Sequence, residues 1–241
     1  MLKRNKKWKN WKIWNLLYPR KCAICDRVLS KKEQNICRNC RKKITCIKGP
    51  TCLTCGKPIK EGETRCKDCK KWNHLFQWGV ACYRYEDIKG AIFRIKYAGR
   101  EDLVPYFAEQ IILNLKLNIM QMNADYLVPI PMHHSREKKR GYNQAALFAK
   151  ELGIRLGISV LERAVIRKKK TIPMKYLSIK ERQLNLKKAF IIGENDVKLK
   201  TIILIDDIYT TGSTIDQVSK ILLQAGAKEI FFIVLAIGKD T

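Results

Sequence analysis

Two adjacent acidic residues and a loop of small hydroxyl residues stand out in the segment IILIDDIYTTGST, residues 202–214. The four apolar residues 202–205 predict a buried strand, and Asp206 and Asp207 follow at its carboxyl end. The loop Thr210–Thr214 then leads into a predicted helix, so its backbone N–H groups and the helix dipole can hold a phosphate. The two carboxylates suit a pair of vicinal sugar hydroxyls and can orient a hydrated Mg²⁺.

The loop residues favour a phosphate site over two simpler interpretations. Gly212 allows a positive φ or a close approach of the backbone. Hydroxyl groups on Thr210, Thr211, Ser213 and Thr214 add hydrogen-bond donors. A Walker B strand would need a G-x-x-x-x-G-K-[ST] loop, which the chain lacks. An ordinary strand–turn–helix with threonine caps leaves the acidic pair unexplained.

Eight of the ten cysteines form four C-x-x-C pairs with nearly equal gaps in two successive halves. Such a duplicated unit is typical of two structural zinc sites with four cysteine ligands each, no position being left open for catalysis. A disulfide or redox role suits a single C-x-x-C better than four pairs in register. Sequential pairing is the simplest arrangement, although crossed pairing is geometrically possible. The predicted ligands are Cys22, Cys25, Cys37, Cys40, Cys52, Cys55, Cys66 and Cys69.

Beyond the cysteines, short apolar strands alternate with amphipathic helices. This pattern predicts an α/β fold, a parallel sheet with helices on both faces, in which ligands bind beyond the carboxyl ends of the strands. The predicted strands include 126–130, 189–192, 202–205 and 230–236, and the predicted helices 88–97, 103–117, 144–156 and 215–225.

Positive charge is concentrated just after the predicted strand 126–130. Arginine side chains there suit a pyrophosphate, because a guanidinium can engage two oxygens at once. Two of the lysines can equally be solvated surface residues, and the two histidines are expected to be loop residues rather than catalysts. The cluster comprises His133, His134, Arg136, Lys138, Lys139 and Arg140.

The chain resembles the ComF competence family through short motifs in a shared order. After the cysteine knuckles come KYAGR (96–100), VPIP (128–131), RGYNQ (140–144) and LSIKERQLN (177–185), and then the acidic segment. The resemblance covers the chain from about Leu16 onward. It implies a fold like that of type I phosphoribosyltransferases, which bind phosphoribosyl pyrophosphate (PRPP) with Mg²⁺, preceded by a small cysteine-rich zinc module.

Residue roles follow from this resemblance. Asp206 and Asp207 are expected to hold the ribose 2′- and 3′-hydroxyls and to be the catalytic pair if transfer occurs, while the Thr210–Thr214 loop wraps the 5-phosphate. The family pattern implies that Arg140, Asn143 and Gln144 belong to the pyrophosphate loop. Arg182 and Asn185 match a flap that closes over the substrate, whereas Met174 stands where glutamine is expected.

Three segments are expected from this organisation. Residues 1–20 form a basic segment with aromatic residues at helical spacing, including Trp8, Trp11 and Trp14, which can stack on bases, lie on an anionic membrane or pack on its own protein. Residues 21–72 form the double zinc ribbon, and residues 79–241 the phosphoribosyltransferase-like domain.

The charge balance points to a polyanionic partner. Lysine and arginine number 49 against 22 acidic residues, a formal net charge of +27, and more than half of the excess lies in the first 78 residues. The simpler alternative is that the lysine content reflects a low-GC genome, in which lysine codons are frequent. No apolar stretch approaches the roughly 18 residues of a membrane span, and no signal-peptide cleavage site follows the basic start, so a cytoplasmic protein is expected.

The resemblance and the charge together favour a competence factor for DNA uptake. It would bind PRPP–Mg²⁺ and single-stranded DNA and would have proteins of the DNA-uptake machinery as further partners. The alternative is an active phosphoribosyltransferase that transfers phosphoribose to a nucleobase-like acceptor. A PRPP-sensing regulator is a third option, disfavoured by the lack of a helix-turn-helix pattern.

Overall fold

The computed structural model describes residues 19–168, 189–193 and 196–239. The two predicted flap residues, Arg182 and Asn185, together with Met174 and most of the aromatic segment 1–20, lie outside these ranges.

Five parallel strands form the central sheet, in the order β1-β7-β6-β2-β3. A separate antiparallel pair, β4 and β5, lies outside it. The predicted strand 189–192 therefore belongs to this small sheet and not to the main one. The strands are β1 (Trp78–Arg84), β2 (Tyr126–Pro129), β3 (Ser159–Val160), β4 (Val165–Arg167), β5 (Phe190–Ile192), β6 (Thr201–Tyr209) and β7 (Glu229–Ile237).

The helices cover both faces of the sheet, as predicted. One core layer contains apolar side chains of α3, α4 and α6, and the other contains those of α7 and of the β4–β5 pair. Since side chains alternate along a strand, β7 supplies Phe231 and Ile233 to the first layer and Phe232 and Val234 to the second. The helices are α1 (Arg38–Lys43), α2 (Lys67–Lys71), α3 (Tyr85–Tyr97), α4 (Val104–Met122), α5 (His134–Arg140), α6 (Gln144–Leu156) and α7 (Ser213–Gln224).

Each cysteine-rich half has the same local structure. A knuckle closed by a backbone bridge, Lys21 with Val28 or Thr51 with Pro58, is followed by the short helix α1 or α2. The first half contributes its buried cysteines to the core layer of α3, α4 and α6. The second half contributes its cysteines to the opposite layer. The zinc module therefore spans the β1 edge, with one ribbon on each side.

Strand β6 continues four residues beyond the predicted end at Ile205, because β7 pairs with it as far as Tyr209. Asp206 and Asp207 consequently lie within a hydrogen-bonded strand and not in the loop that follows. This pairing holds the backbone of the acidic pair in an extended conformation. The predicted helix 144–156 has the bounds found in the structure.

Candidate functional site

The predicted phosphate loop curls around an open pocket at the carboxyl end of β6. The lining includes Asp206 and the whole of Thr210–Thr214. The hydroxyls of Thr211 and Ser213 lie 3.0 Å apart, and helix α7 begins at Ser213. Backbone N–H groups of the first turn of a helix have no partner within the helix, so they are available to an anion at this point. The helix starts two residues before the predicted position, Ile215, so Ser213 and Thr214 of the predicted loop belong to its first turn.

Gly212 is required at the turn for two reasons. Its φ of +80° is a conformation that side chains rarely adopt. A Cβ there would also lie 2.5 Å from the Tyr209 hydroxyl and 2.9 Å from the His74 ring. His74 in turn lies 2.8 Å from the Asp216 carboxylate in the first turn of α7. The segment that follows the second zinc ribbon thus supports the loop from behind.

The acidic pair is partly neutralised within the protein. Asp207 is buried, and its carboxylate lies 2.5 Å from the Lys96 ammonium. Burial disfavours the charged lysine, but the Asp207 carboxylate outweighs it, so the pKa of Lys96 is raised. Burial, followed by the neighbouring Asp207 charge, holds the pKa of Asp206 well above its ordinary value. The Lys96 ammonium therefore offsets the charge of the acidic pair from within the protein.

The three residues predicted for the pyrophosphate loop lie at the end of the neighbouring strand. Asn143 caps α6 and donates from Nδ2 to the Ile130 carbonyl, 3.0 Å away, just beyond β2. Arg140 donates a hydrogen bond to the Gln144 side-chain oxygen. Its positive charge also acts to lower the pKa of Lys96, against the larger effect of Asp207. Because β2 pairs with β6 in parallel, this loop and the acidic pair lie side by side at the carboxyl ends of the two strands.

Two further cations belong to this region. Lys96 contacts Asp207 directly, and Arg167 at the end of β4 interacts electrostatically with Asp206. Burial, together with the nearby Arg136 charge, lowers the pKa of Arg167 to about 10. Lys96 opens the KYAGR motif, and Arg167 opens the charged stretch Arg167–Lys170 that leads into the predicted flap, although neither residue was predicted to contact the acidic pair. His74 has no signal in the sequence.

The cysteines gather into two groups with sequential pairing, Cys22, Cys25, Cys37 and Cys40 in one and Cys52, Cys55, Cys66 and Cys69 in the other. In each, the ligand atoms lie within 4.8 Å of one another. A tetrahedral zinc with Zn–S bonds of about 2.3 Å requires sulfur atoms about 3.8 Å apart. Cys25 and Cys37 are 3.8 Å apart, and Cys55 and Cys66 3.6 Å.

Both clusters therefore fit a structural zinc ion. Backbone N–H groups of Ile24 and Cys37 point at the Cys22 sulfur, as expected for a thiolate ligand. Cys46 and Cys82 stay outside both clusters, and their sulfur atoms lie 3.6 Å from each other.

Known families match both parts of the chain. The double zinc ribbon domain matches residues 13–70, and the phosphoribosyl transferase domain matches residues 139–241. Competence protein F of Haemophilus influenzae is 31% identical over 87% of this chain and 93% of its own length. The chain belongs to the ComF family.

Other ComF relatives extend over similar spans. Competence protein ComFC of Bacillus subtilis is 30% identical over 85% of this chain and 89% of its own length. The DNA utilization protein YhgH of Escherichia coli is 27% identical over 89% of this chain and 96% of its own. Among the described residues of this ComF protein, no helix is both long and apolar enough to cross a bilayer.

Proposed function

We propose that this chain is a cytoplasmic competence factor that binds PRPP–Mg²⁺ and single-stranded DNA during DNA uptake. Two relatives bear the name of competence proteins and a third that of a DNA utilization protein, each matching most of this chain. Proteins of the uptake machinery would be its further partners. A sugar-phosphate site and a polyanion surface would then reside in one molecule.

The observation that supports PRPP binding is the acidic pair placed directly before the Thr210–Thr214 pocket. Asp206 and Asp207 would hold the two ribose hydroxyls, and the loop would hold the 5-phosphate. Arg140 with its neighbours Asn143 and Gln144, at the adjacent strand end, would face the pyrophosphate. Mg²⁺ would arrive with the ligand and reduce the charge of its phosphates.

Calorimetric titration with PRPP, with and without Mg²⁺, tests this assignment. Asp206→Asn and Asp207→Asn should each weaken binding by about tenfold or more, since a hydrogen-bond acceptor for a ribose hydroxyl is altered. Glu162→Gln is the control, because this exposed carboxylate pairs with Lys150 away from the loop. Unchanged PRPP affinity in both aspartate variants would remove the assignment, whatever the zinc content.

The match of residues 139–241 to the phosphoribosyl transferase domain favours a second candidate, an active phosphoribosyltransferase. Pyrophosphate release from PRPP in the presence of a panel of nucleobases distinguishes the two. Release with any base would establish transfer. No turnover with the whole panel, combined with measurable PRPP binding, would support a binding protein.

Single-stranded DNA binding is suggested by the net charge of +27. A labelled oligonucleotide should bind at about 50 mM salt and dissociate as salt rises, because binding releases counterions. Absence of binding at that salt concentration would leave only the PRPP half of the proposal.

A further inference from the structure

Two exposed aromatic rings lie side by side on helix α3. Phe93 and Tyr97 are 60% and 68% exposed, and their ring centroids are 5.1 Å apart. They are one turn apart on the helix, so they form a continuous apolar surface. The Arg140 guanidinium lies over the Tyr97 ring at 5.2 Å. We call Phe93, Tyr97 and Arg140 the aromatic platform.

The platform adjoins the PRPP site through the chain itself. Lys96, next to Tyr97, reaches inward to Asp207, whereas Tyr97 faces outward. Arg140 links the platform to the proposed pyrophosphate loop through its hydrogen bond to Gln144. A ligand on the platform would therefore lie at the rim of the site and not inside it.

The first zinc ribbon borders the same helix. Arg94 donates from its guanidinium to the carbonyls of Ala23 and Ile24, at 3.1 and 2.9 Å. It also pairs with Asp26 at 3.2 Å. The ribbon continues into α1, whose last turn holds Arg41, Lys42 and Lys43, and α5 ends in Lys138, Lys139 and Arg140. The first ribbon and α5 each contact α3, and each carries a basic helix end.

This combination of open rings and positive charge selects among ligands. A duplex hides its base faces in its own stack, so it can use the charges but not the rings. A single strand can use both, because its bases are free to stack on aromatic side chains while its phosphates contact lysine and arginine.

We propose that the aromatic platform is the stacking site for single-stranded DNA, at the rim of the PRPP site. The proposal rests on the DNA-binding half of the proposed function and names the surface that performs it. Bases would stack on Phe93 and Tyr97, with the backbone following the basic ends of α1 and α5. DNA and PRPP would then share Arg140, so that each would affect the binding of the other.

Fluorescence anisotropy with a labelled oligo(dT) strand tests the platform. The double variant Phe93→Ala/Tyr97→Ala should weaken binding about tenfold or more, as expected for loss of base stacking. Phe93→Tyr should retain affinity because the stacking face remains. Leu117→Ala is the matched control, an exposed apolar side chain on α4 at 76% exposure. PRPP titration of every variant checks that the site and fold survive.

Two further ligands separate stacking from charge. An abasic strand of equal length should bind wild type as weakly as oligo(dT) binds the double variant, and a duplex should bind equally to both proteins. Oligo(dT) affinity unchanged in the double variant would overturn the platform while leaving DNA binding elsewhere on the chain. Failure of wild type to bind any strand, with PRPP binding intact, would overturn the platform and the DNA half of the proposed function together.

Discussion

The two zinc ribbons share their cysteine spacing but differ in how deeply the protein encloses them. All four cysteines of the second ribbon are buried, whereas in the first Cys25 is exposed and Cys40 half-buried. The second ribbon also contains a buried ion pair, Lys57 with Asp68 at 2.5 Å. At the corresponding position the first has Arg27, which pairs with Glu33 near the surface.

This difference indicates two roles for one duplicated unit. Both ribbons contribute buried side chains to a core layer. The second is also joined to the sheet, because the Gly79 N–H on β1 donates to the Thr54 carbonyl, 2.9 Å away, and the segment after this ribbon supports the Thr210–Thr214 loop through His74. The first ribbon accepts hydrogen bonds from Arg94 of helix α3 and leaves the basic end of α1 exposed. We infer that the second ribbon holds the Thr210–Thr214 loop in shape and that the first presents charge to a ligand.

Removing one cysteine ligand from each zinc site in turn should give the largest difference in stability between the two ribbons. Cys55→Ser should lower the stability of the whole chain by more than about 4 kcal/mol, because zinc binding contributes directly to folding and the Cys55 side chain is completely buried. Cys25→Ser should cost less than half of that, since the sulfur is exposed. Zinc content per chain and thermal unfolding monitored by near-ultraviolet circular dichroism measure both effects.

Equal losses for the two serine variants would mean that both ribbons are equally integrated into the fold. PRPP affinity provides a second readout. It should decrease in Cys55→Ser at temperatures where the chain is still folded, and it should stay near the wild-type value in Cys25→Ser.

Disrupting the ion pair of each ribbon should give the next largest difference in stability between the two. Lys57→Met leaves the Asp68 carboxylate buried without its lysine, which should cost about 3–5 kcal/mol. Arg27→Met removes the exposed pair at the matching position and should cost less than about 1 kcal/mol. Chemical denaturation of the zinc-loaded proteins measures both. The double variant Lys57→Met/Asp68→Leu should recover much of the stability that Lys57→Met loses. If it does not, the loss does not come from the unpaired Asp68 carboxylate.

Local signals in the sequence predicted the helices, the zinc ligands and the Thr210–Thr214 loop better than they predicted the contacts around them. Helix α6 has the predicted bounds because Asn143 caps its start and Gly157, at φ +70°, ends it. The cysteine spacing identified the ligands of both zinc sites, since a knuckle is a local structure. The Thr210–Thr214 loop also stands out in the sequence, because its glycine and hydroxyls follow the acidic pair by two residues; phosphate binding by this loop stays a prediction.

What the sequence could not show depends on contacts between distant residues. Nothing in the cysteine pattern indicates that the two ribbons lie in opposite core layers, which is decided by how the chain crosses the β1 edge. The Lys96 to Asp207 contact joins residues more than a hundred positions apart. The extra length of β6 comes from its pairing with β7. The orientation of Phe93 and Tyr97 toward solvent is also a result of packing.

Each ribbon meets the rest of the protein at a glycine, and substituting these two glycines should give a smaller difference in stability. A Cβ on Gly56 would lie 2.9 Å from the Gly79 carbonyl on β1, and its φ is +75°. Gly56→Ala should therefore cost about 2–3 kcal/mol. A Cβ on Gly90 would lie 2.7 Å from the Ile24 carbonyl of the first ribbon. Since alanine favours the helix by about 1 kcal/mol, Gly90→Ala should cost less than Gly56→Ala. Denaturant midpoints decide the order, and a reversed order would show that the first ribbon is docked more rigidly.

The smallest expected effect concerns charge, and it tests whether DNA follows the first ribbon. Arg41 and Lys42 are exposed on α1, whereas Lys60 and Arg65 are exposed on the second ribbon. If single-stranded DNA contacts only the first pair, Arg41→Gln/Lys42→Gln should reduce the slope of log affinity against log salt by about 1.4, because each phosphate contact contributes about 0.7. Lys60→Gln/Arg65→Gln removes the same net charge and should leave the slope unchanged. Equal reductions in both variants would mean that affinity reflects overall charge, so the difference between the ribbons would concern stability alone.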